Sequence, residues 1–106
     1  MDDATRRSSP RVSFMKEIKV EHEGATTTLT ALDLSTGGIG AWGPEECATQ
    51  CRISLPLDDG QDELVVQGEV ARCFRSDGGS VWGIRFVDLD ASATRRLEAH
   101  VARLMA

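Results

Sequence analysis

Two short strings in this 106-residue chain carry groups that could hold a ligand. Arg7-Ser8-Ser9-Pro10-Arg11 is an R-x3-R string, preceded directly by Arg6. Asp33-Leu34-Ser35-Thr36-Gly37-Gly38 reads D-x-S-x-x-G. An arginine fork donates two parallel hydrogen bonds, either to phosphate oxygens or to the O6 and N7 acceptors of guanine. Its flat guanidinium also stacks on a base. A carboxylate such as Asp33 accepts from the N1–H and N2–H donors of guanine. Ser35 can reach a phosphate or a base, and Gly38 lets the backbone turn sharply and leaves space for a ligand. The loop around Gly38 also offers backbone N–H groups to an anion. These residue types in this order suit a guanine nucleotide.

Other chemistries find less support. His22 and His100 have no carboxylate or nucleophile at a telling spacing, and no carboxylate pair suits acid–base work. No catalytic site is expected. Cys47 and Cys51 form a Cys-x3-Cys pair, but a structural zinc needs four ligands, so Cys73 and His22 would have to converge with them. Free thiols are expected for the three cysteines, because a disulfide framework usually has an even count. Cys51, on the apolar face of a strand, and Cys73, next to Phe74, are expected to be buried small hydrophobes. Gly38-Ile39-Gly40-Ala41-Trp42-Gly43 matches G-x-G-x-x-G. The dinucleotide fingerprint needs a βαβ unit and a full helix after the glycines, and neither is expected here. These glycines are expected to serve turns with positive φ. No Gly-Lys-Ser/Thr follows them, so a Walker A loop is absent.

The elements that must position the two strings read as follows. Residues 1–10 form a flexible arm ending in Ser8-Ser9-Pro10. Apolar residues alternate at Val12, Phe14, Ile18 and Val20, the period of a strand with one buried face. Glu23-Gly24 is a turn, and the β-branched run from Thr26 to Leu32 is a second strand. Residues 33–40 form a glycine-rich corner, and Ile39 to Trp42 a short strand. Pro44 to Gln50 is expected to form one or two helical turns. Cys51, Ile53, Leu55 and Leu57 alternate as a strand, and Leu64 to Phe74 is a long strand bent near Gly68. Asp77-Gly78-Gly79 closes a hairpin onto Val81 to Val87, where Trp82, Ile84 and Phe86 share a face. Leu97, Val101 and Leu104 fall at i, i+4, i+7, the stripe of an amphipathic helix, capped by Asp90 or Ser92. Five to seven short strands followed by one helix predict an all-β barrel or sandwich. The length suits one domain, spanning residues 11–106.

Charge and composition exclude several classes of function. The net charge is −5, and residues 17–70 hold eleven acids against Lys19 and Arg52. Residues 6–16 hold Arg6, Arg7, Arg11 and Lys16 and no acid. A cationic arm on an acidic body suits a small anionic ligand and would repel a nucleic-acid polymer. No apolar run exceeds three residues, so neither membrane insertion nor a signal peptide is expected, and the chain is expected in the cytoplasm.

R-x3-R followed by D-x-S-x-x-G on an all-β chain of this size resembles the PilZ family, bacterial receptor domains for the second messenger cyclic di-GMP. Gly68-Glu69-Val70-Ala71-Arg72 and Gly83-Ile84-Arg85-Phe86, with a helix after them, extend the resemblance over nearly the whole chain. The resemblance implies a six-stranded antiparallel β-barrel with a C-terminal helix. It implies that Arg7 and Arg11 hold guanine edges and phosphates, with Arg6 assisting. Asp33 and Ser35 would contact the ligand from the barrel surface, and Gly38 would shape the loop. No cofactor or metal is implied. The ligand would order the arginine arm against the barrel and so create a surface for an unidentified protein partner, acted on in trans. The alternative expectation is an adaptor of the same fold that binds protein without the nucleotide.

Overall fold

Two tight turns choose the strand partners. The computed structural model describes residues 11–106. Glu23 and Gly24 have φ of 51° and 80°, and Asp77 and Gly78 have φ of 50° and 79°. Two-residue turns with positive φ at both positions match the right-handed twist of antiparallel strands. The first joins β1 (Val12–His22) to β2 (Ala25–Leu34), and the second joins β5 (Leu64–Ser76) to β6 (Gly79–Val87). Between them lie β3 (Gly38–Gly43) and β4 (Gln50–Leu55), and one helix, α1 (Ala91–Met105), follows β6. The strands close in the order β1-β2-β3-β6-β5-β4, each pair antiparallel. Closure leaves no strand with one side wholly unpaired. This is the six-stranded barrel with a C-terminal helix that the resemblance implies.

Alternation fills the barrel interior. Ile18 and Val20 of β1, Leu29 and Ala31 of β2, Ile53 and Leu55 of β4, and Trp82 and Ile84 of β6 are all buried. Asp90 caps α1, its Oδ1 accepting from Ala93 N at 2.7 Å. The helix buries Ala93, Leu97, His100 and Val101. Leu104 is 41% exposed, so the apolar stripe ends one turn earlier than the spacing predicts, and His100 takes part of its place. Arg96 ties the helix to the β4–β5 connection through a bidentate bond to Asp59, both contacts 3.0 Å, and a third bond to the Asp62 carbonyl. Among the described residues no helix is long and apolar enough to cross a membrane.

Four local expectations are corrected. Residues 44–49 form no helix, because the connection must run past β6 and β5 to reach β4. Cys47 and Cys73 are not free thiols; they form a disulfide with Cα atoms 6.1 Å apart. The β5–β6 register sets Cys73 opposite Trp82, while Cys47 Sγ lies 3.7 Å from the Val81 carbonyl, a proximity that sequence spacing does not carry. Cys51 alone is free, and burial pushes its thiol up to about 11. Gly68 is not the bend: a Cβ there would crowd Ile84 and Ile53, and the irregularity lies between Val70 and Arg72. Lastly, Gly38, Gly40 and Gly43 are strand residues without positive φ.

Candidate functional site

Two β-bulges aim the site. In β2 the register passes from Ala31↔Ala41 to Asp33↔Gly40, so Leu32 is an extra residue. The buried positions switch from Leu29 and Ala31 to Leu34, and Asp33 is turned outward. In β5 the register passes from Val70↔Ile84 to Arg72↔Gly83, so Ala71 is extra. Before it the buried positions are Leu64, Val66 and Gly68, of even number. After it Arg72 and Phe74, also even, are exposed. An extra residue reverses the inward-outward phase of everything beyond it.

The reversal creates a row across four strands. Asp33 pairs with Gly40, Gly40 with Gly83, and Gly83 with Arg72. The two glycines leave the floor bare. A Cβ on Gly40 would come 2.9 Å from Asp33 Oδ1, and one on Gly83 would come 3.2 Å from Arg72 Cβ. Asp33 Oδ1 accepts from Gly40 N at 3.2 Å, which fixes the carboxylate over the floor.

Arg11 closes one end. Its Nη2 lies 3.5 Å from Asp33 Oδ1, with the arginine side chain 30% exposed. Its Nη1 reaches Ser35 Oγ at 3.5 Å. Ser35 is buried, and its hydroxyl accepts from Gly37 N and Gly38 N, each at 3.2 Å. This side chain braces its own turn. Gly38 serves close approach rather than a turn, since a Cβ there would overlap the Ile84 carbonyl. The opposite wall carries Arg72, Phe74 and Val81, with Arg85 on the same face beside Gly38. Arg85 is paired with Glu69. The enclosed space is an open cavity of about 500 Å³, within the range of small-molecule sites.

The sequence matches the family model of the PilZ domain over residues 5–103. The chain belongs to the PilZ domain family. Among solved structures, this PilZ domain is similar to that of YcgR from Escherichia coli with c-di-GMP. The TM-score is 0.72 at 18% identity, covering 94% of this chain and 92% of that one. It is also similar to the Bacillus subtilis inhibitor of motility MotI/DgrA, with TM-score 0.75 at 16% identity, covering 94% of this chain and 51% of that one. A third likeness is to the K. pneumonia MrkH–c-di-GMP complex, with TM-score 0.71 at 16% identity, covering 94% and 52%. The chain thus spans about half the length of the latter two. No curated protein matches the sequence.

Of the residues singled out from sequence, the PilZ fold brings Arg11, Asp33, Ser35 and Gly38 to one cavity. Arg6, Arg7 and the remainder of the arm, residues 1–10, lie outside the described residues. Sequence reasoning missed Arg72 and Phe74 as cavity residues. A signal for Phe74 was present: counting back from the Asp77-Gly78 turn pairs it with Val81, next to buried Trp82 and therefore on the outer face. Phe74 is 55% exposed, which is unusual for an aromatic on a strand. Among the described residues no three His, Cys, Asp or Glu side chains are grouped as metal ligands.

Proposed function

We propose that this PilZ domain is a receptor for cyclic di-GMP that acts through a protein partner. One observation carries the reading. Arg11 Nη2 stands 3.5 Å from Asp33 Oδ1 at the rim of a glycine-floored cavity, so a guanidinium fork and a guanine-edge acceptor face the same space. Arg7 and Arg11 take phosphate oxygens and the O6/N7 edge of guanine, with Arg6 beside them. Asp33 accepts from N1–H and N2–H. Arg72 has no carboxylate partner among the described residues, and it takes a phosphate from the far wall. The exposed ring of Phe74 stacks on a base. Ser35 and Gly38 hold the loop and the Arg11 side chain in place. The solved YcgR and MrkH structures with c-di-GMP support this ligand class.

The reading requires binding and no catalytic step. It places the protein in the cytoplasm, where closing of the arginine arm over ligand presents a new surface to the partner. Isothermal titration of the full chain with cyclic di-GMP tests it. Arg7→Ala or Arg11→Ala is expected to weaken binding more than about tenfold, since each removes charge-assisted bonds of ~1.5–3 kcal/mol. Arg95→Ala, on an exposed position of α1, should bind normally. Absence of binding by the unaltered chain would overturn the reading and leave the ligand-independent adaptor.

A further inference from the structure

We infer that Cys47 and Cys73 form a thiol–disulfide exchange site whose redox state sets the affinity of the dinucleotide cavity, an inference that rests on the receptor reading above. Cys73 lies between Arg72 and Phe74, both residues of the cavity wall. Strand alternation sends it to the opposite face, where its register partner is buried Trp82. Cys47 Sγ lies 3.7 Å from the carbonyl of Val81, a third wall residue. The bond is therefore attached to the back of the wall.

That wall has little else to hold it. β4 pairs with β5 from Leu64 to Glu69 only. From Arg72 to Ser76 the strand pairs, among the described residues, with β6 alone. Among the described residues, the other ties to this end of β5 include Trp42 Nε1 donating to the Ser76 carbonyl at 2.7 Å and Val70 N donating to the Thr49 carbonyl at 2.9 Å. The Ala71 bulge sits at the boundary between the doubly and singly paired halves, where a strand bends most readily. The Cys47–Cys73 bond fastens the singly paired half to the connection over residues 44–49, and its loss frees Arg72 and Phe74 to move together.

The chemistry is confined to this pair. Cys73 is exposed and Cys47 partly so, whereas Cys51 is buried with its thiol pushed up to about 11. Cys51 supplies no competing thiolate. A dithiol reductant attacks through its thiolate at Cys73, forming a mixed disulfide and releasing Cys47 as thiolate. Its second thiol then closes the reductant's own disulfide and releases Cys73. Two electrons and two protons pass to the protein, and the reductant leaves oxidised. In a reducing compartment, bonds of this kind are transient or redox-sensing.

The experiment is titration of the full chain with cyclic di-GMP, air-oxidised and after dithiothreitol treatment, with iodoacetamide labelling of the native protein reading the thiols. Oxidised protein is expected to resist labelling, and reduced protein to gain two labelled cysteines. Reduction is expected to weaken binding about fivefold or more, and saturating ligand to disfavour reduction by the same factor, because coupling is reciprocal. Cys47→Ser and Cys73→Ser should each bind like reduced protein and ignore dithiothreitol. Equal binding by both redox forms would overturn the inference and leave the receptor reading intact. Two reactive cysteines in the air-oxidised protein would also overturn the inference alone. No binding by either form would overturn both.

Discussion

Asp33 and Arg72 stand at opposite ends of one register row, with Gly40 and Gly83 the only residues between them. Three inter-strand steps of about 4.8 Å separate them by on the order of 14 Å along the sheet. They do not neutralise one another. Asp33 is matched by Arg11, and Arg72 has no carboxylate partner among the described residues. A ligand lying on the glycines thus meets an acceptor on one side and a cation on the other.

The floor should be separable from the fold. Gly83→Val places a branched side chain between Gly40 and Arg72, on the outer face. Binding of cyclic di-GMP is expected to fall at least about tenfold, while the thermal midpoint changes little. Gly38→Ala should behave in the opposite way. Its Cβ meets the Ile84 backbone carbonyl, which cannot move without breaking the β3–β6 pairing. A loss of about 1–3 kcal/mol in denaturant unfolding is expected.

Asp33 should choose the base. Adenine has no N1–H donor, so the unaltered chain is expected to prefer cyclic di-GMP over cyclic di-AMP. Asp33→Asn keeps an oxygen for Gly40 N and places an amide NH2 before the guanine donors. The variant should fold normally and lose most of the preference. Parallel titrations with the two dinucleotides provide the check. Equal affinities in the unaltered chain would mean that phosphate alone is read.

Phe74 should matter for binding and not for stability. Its ring is more than half exposed, so truncation leaves no core cavity. Phe74→Ala is expected to change unfolding free energy by less than about 0.5 kcal/mol. It should weaken the ligand by the ~1–3 kcal/mol of a lost base stack. Phe74→Trp should restore binding.

Acid should loosen α1 in two steps. His100 is buried edge-on to Phe14, with ring centroids 5.4 Å apart, and its Nδ1 lies 2.9 Å from an Arg103 nitrogen. Burial first, and then Arg103 and Lys16, hold its pKa below the ordinary 6.5, while Asp58 and Asp59 act in the opposite sense. The unfolded chain therefore takes up a proton near pH 6.5 that the folded chain refuses, and stability falls as pH drops through that value. Asp59 is held below its ordinary 3.8, chiefly by its hydrogen bond from Arg96. Its contribution is present above that value and is lost as pH falls further. Thermal midpoints from pH 8 to pH 3 should show both steps. His100→Gln should remove the upper one, and Arg96→Ala should remove the lower.

Short-range chemistry in the sequence by itself determined the hairpins at Glu23-Gly24 and Asp77-Gly78, the shared face of Trp82, Ile84 and Phe86, and the Leu97–Val101 stripe. Positive φ, period two and period 3.6 are properties of neighbouring residues. The strings holding Arg11 and Asp33 were legible for the same reason, and they led to the barrel end where the glycine-floored cavity forms. Only the tertiary structure decided which side chains share that site. Leu32 and Ala71 each add one residue to a strand, and each reverses the phase beyond it, which sends Asp33, Arg72 and Phe74 to the cavity face and Cys73 to the opposite one. A bulge is the outcome of pairing between distant segments, so neither strand's own pattern announces it. The glycine floor, the Cys47–Cys73 bond and the inward turn of the Ser35 hydroxyl depend on the same cross-strand register. That register exists only once the six strands have closed.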